Sequence, residues 1–288
     1  MSFFRDIKSS NAYKSWEKLI RRRTALFGVI FVSFFLIMAF VGLIWTPHPP
    51  NTTNPDALYA APNAYNLLGA DHLGRDVLSR LMAGASVSIS VSVFSVMFAL
   101  AMGTFLGLVS GYYRGVIGAV IDKIIEAIWA FPSLILAMMF TVLLGSGIRN
   151  VIIALAIVQI PGFARLVRAM TLSIRENEYV QSAVAIGLNN AEIIFRYILP
   201  NVASVFIVQA SLSAASAIIQ ESTLSFLGLG IVPPDASWGA MLKLGYPYLD
   251  VAPWLCFAPG ACIVLMVLGF NFIGDGLRDA LDVRIRNF

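Results

Sequence analysis

Long runs without charge organise this chain. Five stretches lack Asp, Glu, Lys and Arg altogether: residues 24–45, 81–113, 127–148, 197–220 and 251–274, each at least 22 residues long. A helix rises about 1.5 Å per residue, so about 20 apolar residues cross the roughly 30 Å hydrocarbon core of a bilayer. All five runs are long enough. A sixth, residues 150–164, holds 15 residues and then meets Arg165 and Arg168. It reads as a span whose arginines lie near one interface, where long cationic side chains reach the headgroups. The competing reading is five spans with this segment buried or re-entrant. The expectation is an all-α integral membrane protein with six transmembrane helices.

Composition narrows the alternatives. Charged residues make up 12% of the 288 positions, about half of the roughly 25% usual in soluble domains. That is too little polar surface for a soluble globule of this length, and disordered and fibrous classes fall with it. The first apolar run exceeds the 7–15 residues of a cleaved signal peptide, and Thr46-Pro47-His48-Pro49-Pro50 follows it instead of a small-x-small site. It reads as a retained anchor. Six spans put both termini on one side. With that side cytoplasmic, sixteen of the twenty Lys and Arg lie inside, and only Arg75, Arg80, Arg149 and Lys243 outside. This is the positive-inside asymmetry, and it accounts for the net charge of +4 without nucleic acid as a partner. The predicted organisation is an inner tail at 1–23, a first span at 24–46, an external loop at 47–85 and a core at 86–274. Inside that core lie an inner loop near 171–203 and an outer loop near 230–250, and an inner tail follows at 275–288. Phe3, Phe4 and Trp16 among the tail cations suit either an interfacial amphipathic helix or a partly ordered tail.

Within the spans, Ala99, Gly103, Gly107 and Gly111 recur every four residues. Such a ridge lets helix backbones approach closely in lipid. Packing inside the subunit and a seam with a partner subunit are both open. The alternation Val87-Ser88-Ile89-Ser90-Val91-Ser92-Val93 has strand period, but a lone strand leaves its backbone unpaired in lipid, so a helix is predicted. Proline interrupts at Pro132, Pro161 and Pro253/Pro259; broken helices line paths in some transporters. Glu221 is the one acidic residue in a predicted span. It is expected either to bond a neighbouring helix or to line the translocation path, since a lone mid-membrane carboxylate is costly.

Catalytic chemistry is missing. There are two histidines, His48 and His72, and neither H-E-x-x-H, G-x-S-x-G nor a phosphate-binding G-x-x-x-x-G-K-[ST] occurs. Cys256 and Cys262 share one span at a separation that gives neither a disulfide nor a metal site. No catalytic, cofactor or metal residue is therefore assigned, and the chain is not read as an enzyme. An ion-driven carrier needs ionisable groups within the membrane, so energy is expected from a partner at the cytoplasmic face.

The polar inner stretch 171–203 reads as a helix, a break at 187–190 and a second helix ending near Pro200. Ile186, Ile193, Ile194 and Tyr197 are expected against a surface. In it Gln181-Ser182-Ala183, Gly187 and Leu199-Pro200 follow the spacing E-A-A-x3-G-x9-I-x-L-P, with Gln181 for Glu, Ser182 for Ala and Tyr197 for Ile. This resembles the EAA loop of ABC-importer permeases. Leu68-Gly69-Ala70-Asp71-His72-Leu73-Gly74-Arg75-Asp76, then Ser79-Arg80, is similar to the external signature of the dipeptide/oligopeptide/nickel permeases, C-type subunit. Leu224-Ser225-Phe226-Leu227-Gly228 with Ser237-Trp238-Gly239, and Gly274-Asp275-Gly276-Leu277-Arg278-Asp279, resemble its later segments.

The resemblance implies a type I ABC-importer (MetI-like) permease fold in a bacterial cytoplasmic (inner) membrane. It implies as partners a homologous B-type permease, two ATPase subunits that bind ATP and Mg, and an external substrate-binding protein. Gln181, Ser182, Ala183, Gly187, Glu192, Leu199 and Pro200 would form the ATPase-coupling loop, with Arg175 and Arg196 as further rim contacts. The substrates implied are di- or oligopeptides moved by alternating access, with nickel complexes, metallophores or glutathione as alternatives and a secondary transporter as the remoter one. For the external Asp71–Arg80 motif, a structural cap and a docking surface for the binding protein are both open.

Overall fold

A computed structural model describes residues 22–113 and 115–281, apart from the side chains of 203–205 and 281. The expectations for the N-terminal tail and for the end of the C-terminal tail lie outside the described residues.

Helix α1 (Arg23–Ile44) buries Ala25, Gly28, Val32, Phe35 and Ala39. Their 3–4 spacing makes one stripe, while Phe27, Phe34, Ile37 and Phe40 on the other faces are exposed, as lipid contact requires. Helix α2 (Val77–Tyr112) starts inside the stretch expected to be external loop, because the Asp76 side chain caps it by accepting from Ser79 N. The serine-alternating segment is helical, as backbone satisfaction demands. Helix α5 (Ile148–Arg175) continues through Pro161, so the short sixth run belongs to a helix long enough to span. Its most extensive neighbour is α2.

The glycine ridge explains that pairing. A Cβ on Gly103 would lie 2.5 Å from Phe163 Cβ, on Gly107 2.5 Å from Ala164 O, and on Gly111 2.7 Å from Thr171 Cβ. The ridge is therefore spent inside the subunit, on α5.

The third run is not one straight span. It divides into α3 (Val116–Trp129) and α4 (Ser133–Leu144), bent by 93°. Pro132 has no N–H to continue the ladder and sits as the N-cap of α4. The second inner helix does not end near Pro200 either. Past α6 (Glu178–Ala185) and α7 (Asn190–Ile193), a π-turn at Ile194–Ile198 runs directly into α8 (Leu199–Leu227). Pro200 falls in the first turn of α8, directly after the π-turn. The chain bends by 64° between Val202 and Phe206.

The outer segment 230–250 folds back as α9 (Trp238–Gly245), capped by Ser237. Trp238 is fully buried, packs edge-on against Phe35 at 5.3 Å and donates its indole N–H to Leu81 O at 3.2 Å. Helix α10 (Trp254–Leu281) closes the bundle against α8 and α1, with Arg22 and Asp279 paired at its end. By length and apolar character, α1, α2, α5 and α10 can each cross a membrane, and the count rises to six if each of the two bent pairs is one span.

Candidate functional site

The loop at the end of α5 is held from below by its own chain. Arg175 Nη1 donates to Tyr112 O at 2.7 Å, and the guanidinium lies 5.3 Å from the Tyr112 ring centre. Tyr112 Oη donates to Asn190 Oδ1 at 2.8 Å. Gln181 Nε2 donates to Arg175 O at 3.0 Å. Arg175 is thus a strut between α2 and the loop, not a rim residue. Under the loop, Val180, Ala183, Ile193, Ile194 and Ile198 pack with Leu108, Tyr112, Val167 and Ile174. Ile193 and Ile194, expected against a surface, lie against this core of their own bundle.

Gly187 ends α6. Its φ is +82°, with Leu188 N donating to Ala183 O at 3.2 Å and Gly187 N to Val184 O at 3.0 Å. This is a Schellman closure, which needs a left-handed residue that glycine adopts without Cβ strain. Asn189 then caps α7 by accepting from Glu192 N at 2.8 Å. Glu192 accepts from Arg196 at 3.2 Å on the exposed side. Gln181, Ser182, Gly187 and Pro200 are exposed, Glu192 and Leu199 half-buried, and Ala183 buried against its own bundle. What the loop offers outward is an apolar surface that the motif spacing does not name: Tyr179, Val184, Ile186 and Phe195, with Ile186 76% exposed.

Beside the loop, α3 and α5 are tied electrostatically. Arg168 Nη2 meets Asp122 Oδ2 at 2.6 Å, and the Arg165 guanidinium lies 4.9 Å from the Trp129 ring centre. A cleft of about 420 Å³ opens between them, lined by Asp122, Glu126, Arg165 and Arg168.

At the other end of the bundle, the Asp71–Arg80 motif is a structural turn. Asp71 Oδ1 accepts from Leu73 N at 2.9 Å and Arg75 N at 3.0 Å, and Oδ2 from Arg75 Nε at 2.7 Å, with Arg80 Nε at 3.9 Å. Arg80 Nη1 donates to Pro50 O and to Asn51 Oδ1. Asp71, Arg75, Asp76 and Arg80 are all buried. His72 stacks on Tyr248 with ring centres 6.1 Å apart. Burial holds its imidazole below the ordinary histidine range, opposed by Asp71 and reinforced by Arg75 and Arg80.

Glu221 is fully buried on α8. Its carboxylate accepts from Ser225 Oγ at 2.8 Å and Ser222 Oγ at 3.5 Å, with the Ser88 and Ser237 hydroxyls also directed at it. Ser88 comes from α2 and Ser237 from the cap of α9. Of the two roles open for Glu221, the geometry supports the helix-bonding one.

These features describe a multi-span helical bundle held at one end by a buried, ion-paired turn and presenting a structured loop at the other. Residues 103–287 match the family described as binding-protein-dependent transport system inner membrane component, and residues 10–62 match the N-terminal TM domain of oligopeptide transport permease C. The chain is 41% identical to the dipeptide transport system permease protein DppC of Alkalihalophilus pseudofirmus, over 95% of this chain and 90% of that one. It is 42% identical to the glutathione transport system permease protein GsiD of Salmonella typhimurium, over 94% and 90%. Its fold is similar to a chain of the inward-facing MetNI methionine ABC transporter, with TM-score 0.56 and 19% identity over 69% of this chain and 95% of that one. The chain belongs to the binding-protein-dependent transport system inner membrane component family. It is a multi-pass inner-membrane permease subunit of an ABC importer.

Proposed function

We propose that this chain is one half of the membrane channel of a peptide importer. It pairs with a homologous B-type permease, two ATPase subunits dock on it, and an external binding protein delivers short peptides. The likeness to a dipeptide permease across 95% of the chain supports the substrate class. The observation that carries the coupling role is the α6–Gly187 loop: a short helix, braced on its own bundle through Val180 and Ala183, that presents Val184 and Ile186 outward. Both termini, and this loop, are on the cytoplasmic side by the cation asymmetry.

Gln181, Ser182, Val184, Ile186 and Gly187 form the contact with the ATPase groove, with Glu192 and Arg196 at its rim. Ala183 shapes the contact from beneath, and Leu199-Pro200 launch α8 behind it. ATP and Mg are bound by the partner subunits, and this chain carries no ATPase site of its own. Closure of the ATPase dimer on ATP pushes the loop and shifts the population from inward-open to outward-open; hydrolysis resets it. Ion pairs at an exposed rim contribute little, so apolar shape dominates docking.

The test is reconstitution of the four-component complex in liposomes with radiolabelled dipeptide. ATP-dependent uptake that requires the binding protein is expected; uptake driven by an ion gradient without ATPase subunits would refute the proposal. Gly187→Trp and Ile186→Asp are both expected to abolish uptake and peptide-stimulated ATP hydrolysis. Normal coupling in both would remove the loop from the mechanism. A second reading, glutathione as substrate, is favoured by the 42% identity to glutathione permeases, and competition by glutathione in the same assay separates it.

A further inference from the structure

Helix α8 carries a polar stripe at the edge of its packed face. At about 100° per residue, Gln209, Ser213, Ser216, Gln220 and Thr223 fall within a sector of about 80°. Every residue of that sector between 209 and 223 is polar. The stripe is about 21 Å long at the helical rise, most of the thickness of a bilayer core.

The packed face of α8 borders the stripe on one side. There Ala214 and Ala217 pack with Val96 and Ala99 of α2 and Ile160 and Phe163 of α5, and Glu221 lies in its serine cage. Next to the stripe, Leu212, Ile219 and Phe226 recur every seven residues and are exposed, a face suited to lipid. Within the stripe, Ser216 is exposed, Gln209, Gln220 and Thr223 are half-buried, and Ser213 is buried. Gln209 Nε2 reaches Ser213 Oγ at a long 3.4 Å and Thr223 Oγ1 donates to Ile219 O, while Gln220 Oε1 is buried with no hydrogen-bond partner.

Uncharged hydrogen-bonding groups held at this depth cannot be left in hydrocarbon without cost. The same helix already presents a separate apolar face for lipid. We infer that the Gln209–Ser213–Ser216–Gln220–Thr223 face lines the water-filled translocation path and binds the backbone amides of a passing peptide. Glutamine amides and hydroxyls both donate and accept, which matches the C=O and N–H of any peptide without selecting its side chains. The substrate class rests on the peptide-importer reading; the path-facing orientation does not.

The experiment uses the complete four-component transporter in nanodiscs, with Cys256 and Cys262 replaced by serine. Ser216→Cys and Gln220→Cys are expected to react with a membrane-impermeant cationic thiosulfonate, at rates that differ between the nucleotide-free and vanadate-trapped states. Ile219→Cys is expected to react only with a lipid-soluble maleimide. Ser216→Cys inert to the impermeant reagent in both states would overturn the inference, whether it then proves to face lipid or a dry seam with the partner permease. In liposomes, Gln220→Leu is expected to lower dipeptide uptake at least about tenfold, as lost hydrogen bonds to a desolvated amide predict, while Ile219→Leu stays at wild type. Labelling of Ser216→Cys in a complex that carries no peptide would leave the path assignment standing and refute the peptide reading alone. Wild-type uptake in Gln220→Leu together with Gln209→Leu would refute the amide-binding role.

Discussion

Ser225 donates its hydroxyl to the Glu221 carboxylate at 2.8 Å, and the same Ser225 oxygen accepts from Ile231 N at 3.0 Å. One buried acid thereby ties α8 to the loop that follows it, while Ser88 and Ser237 bring in α2 and the cap of α9. Ser88 Oγ in turn accepts from Trp238 N at 3.3 Å. Glu221→Ala strands these hydroxyls in a sealed site, and a loss of about 2–4 kcal/mol is expected. It is read as a lower thermal midpoint of the purified complex. Glu221→Gln keeps the shape and an acceptor oxygen and should retain most uptake. A Glu221→Gln complex that is fully assembled and thermally normal yet dead in transport would return Glu221 to the path.

The α2–α5 seam predicts opposite outcomes for two glycines. A methyl on Gly107 meets backbone, Ala164 O at 2.5 Å, so Gly107→Ala must spread two helices and lower thermal stability. Gly162 has only Trp129 Cζ3 nearby, at 3.7 Å. Gly162→Ala should be neutral or add up to about 1 kcal/mol through helix propensity. Equal effects in the two variants would show that the seam is looser than described.

The Asp122–Arg168 pair, at 2.6 Å, is the ionic tie between the broken α3–α4 span and α5. Asp122→Asn and Arg168→Gln should each weaken it. A double-mutant cycle on thermal stability should give a coupling of about 1–2 kcal/mol, as partly buried pairs do. Additive single effects would mean the pair holds nothing together.

Acid should loosen the external cap through His72. Burial depresses its pKa below the unfolded value, with Asp71 opposing and Arg75 and Arg80 assisting. The folded state therefore favours the neutral ring. The stabilisation is complete above the unfolded value of about 6.5 and is lost as pH falls through the lower folded one. Thermal midpoints measured near neutrality and at about pH 5 should separate less in His72→Phe, which keeps the stack on Tyr248 but cannot take up a proton. An unchanged separation would place the acid sensitivity elsewhere.

Much of the loop between α5 and α8 was legible along the chain. The interval from Gln181 through Gly187 to Leu199-Pro200 is a local property, because Gly187 serves a turn closed within six residues. The faces of that loop were not legible. The sequence places Ile193 and Ile194 against a surface without saying which, and the structure packs them into the core of their own bundle. Ala183 keeps its motif position but faces its own bundle.

Adjacent residues on α8 show the same division. The apolar class and the presence of several candidate spans follow from the sequence alone, because lipid solvation acts on each segment separately. Sequence also marks Glu221 as an anomaly. Only the tertiary structure decides that Glu221 points into four serines while Gln220, one residue away and about 100° round the helix, is half-buried at the edge of the packed face. It likewise decides that Gly103, Gly107 and Gly111 are used on α5 instead of on a partner, and that the third span breaks at Pro132. These outcomes depend on which neighbour fills each side of a helix, and a hydropathy pattern carries no record of neighbours.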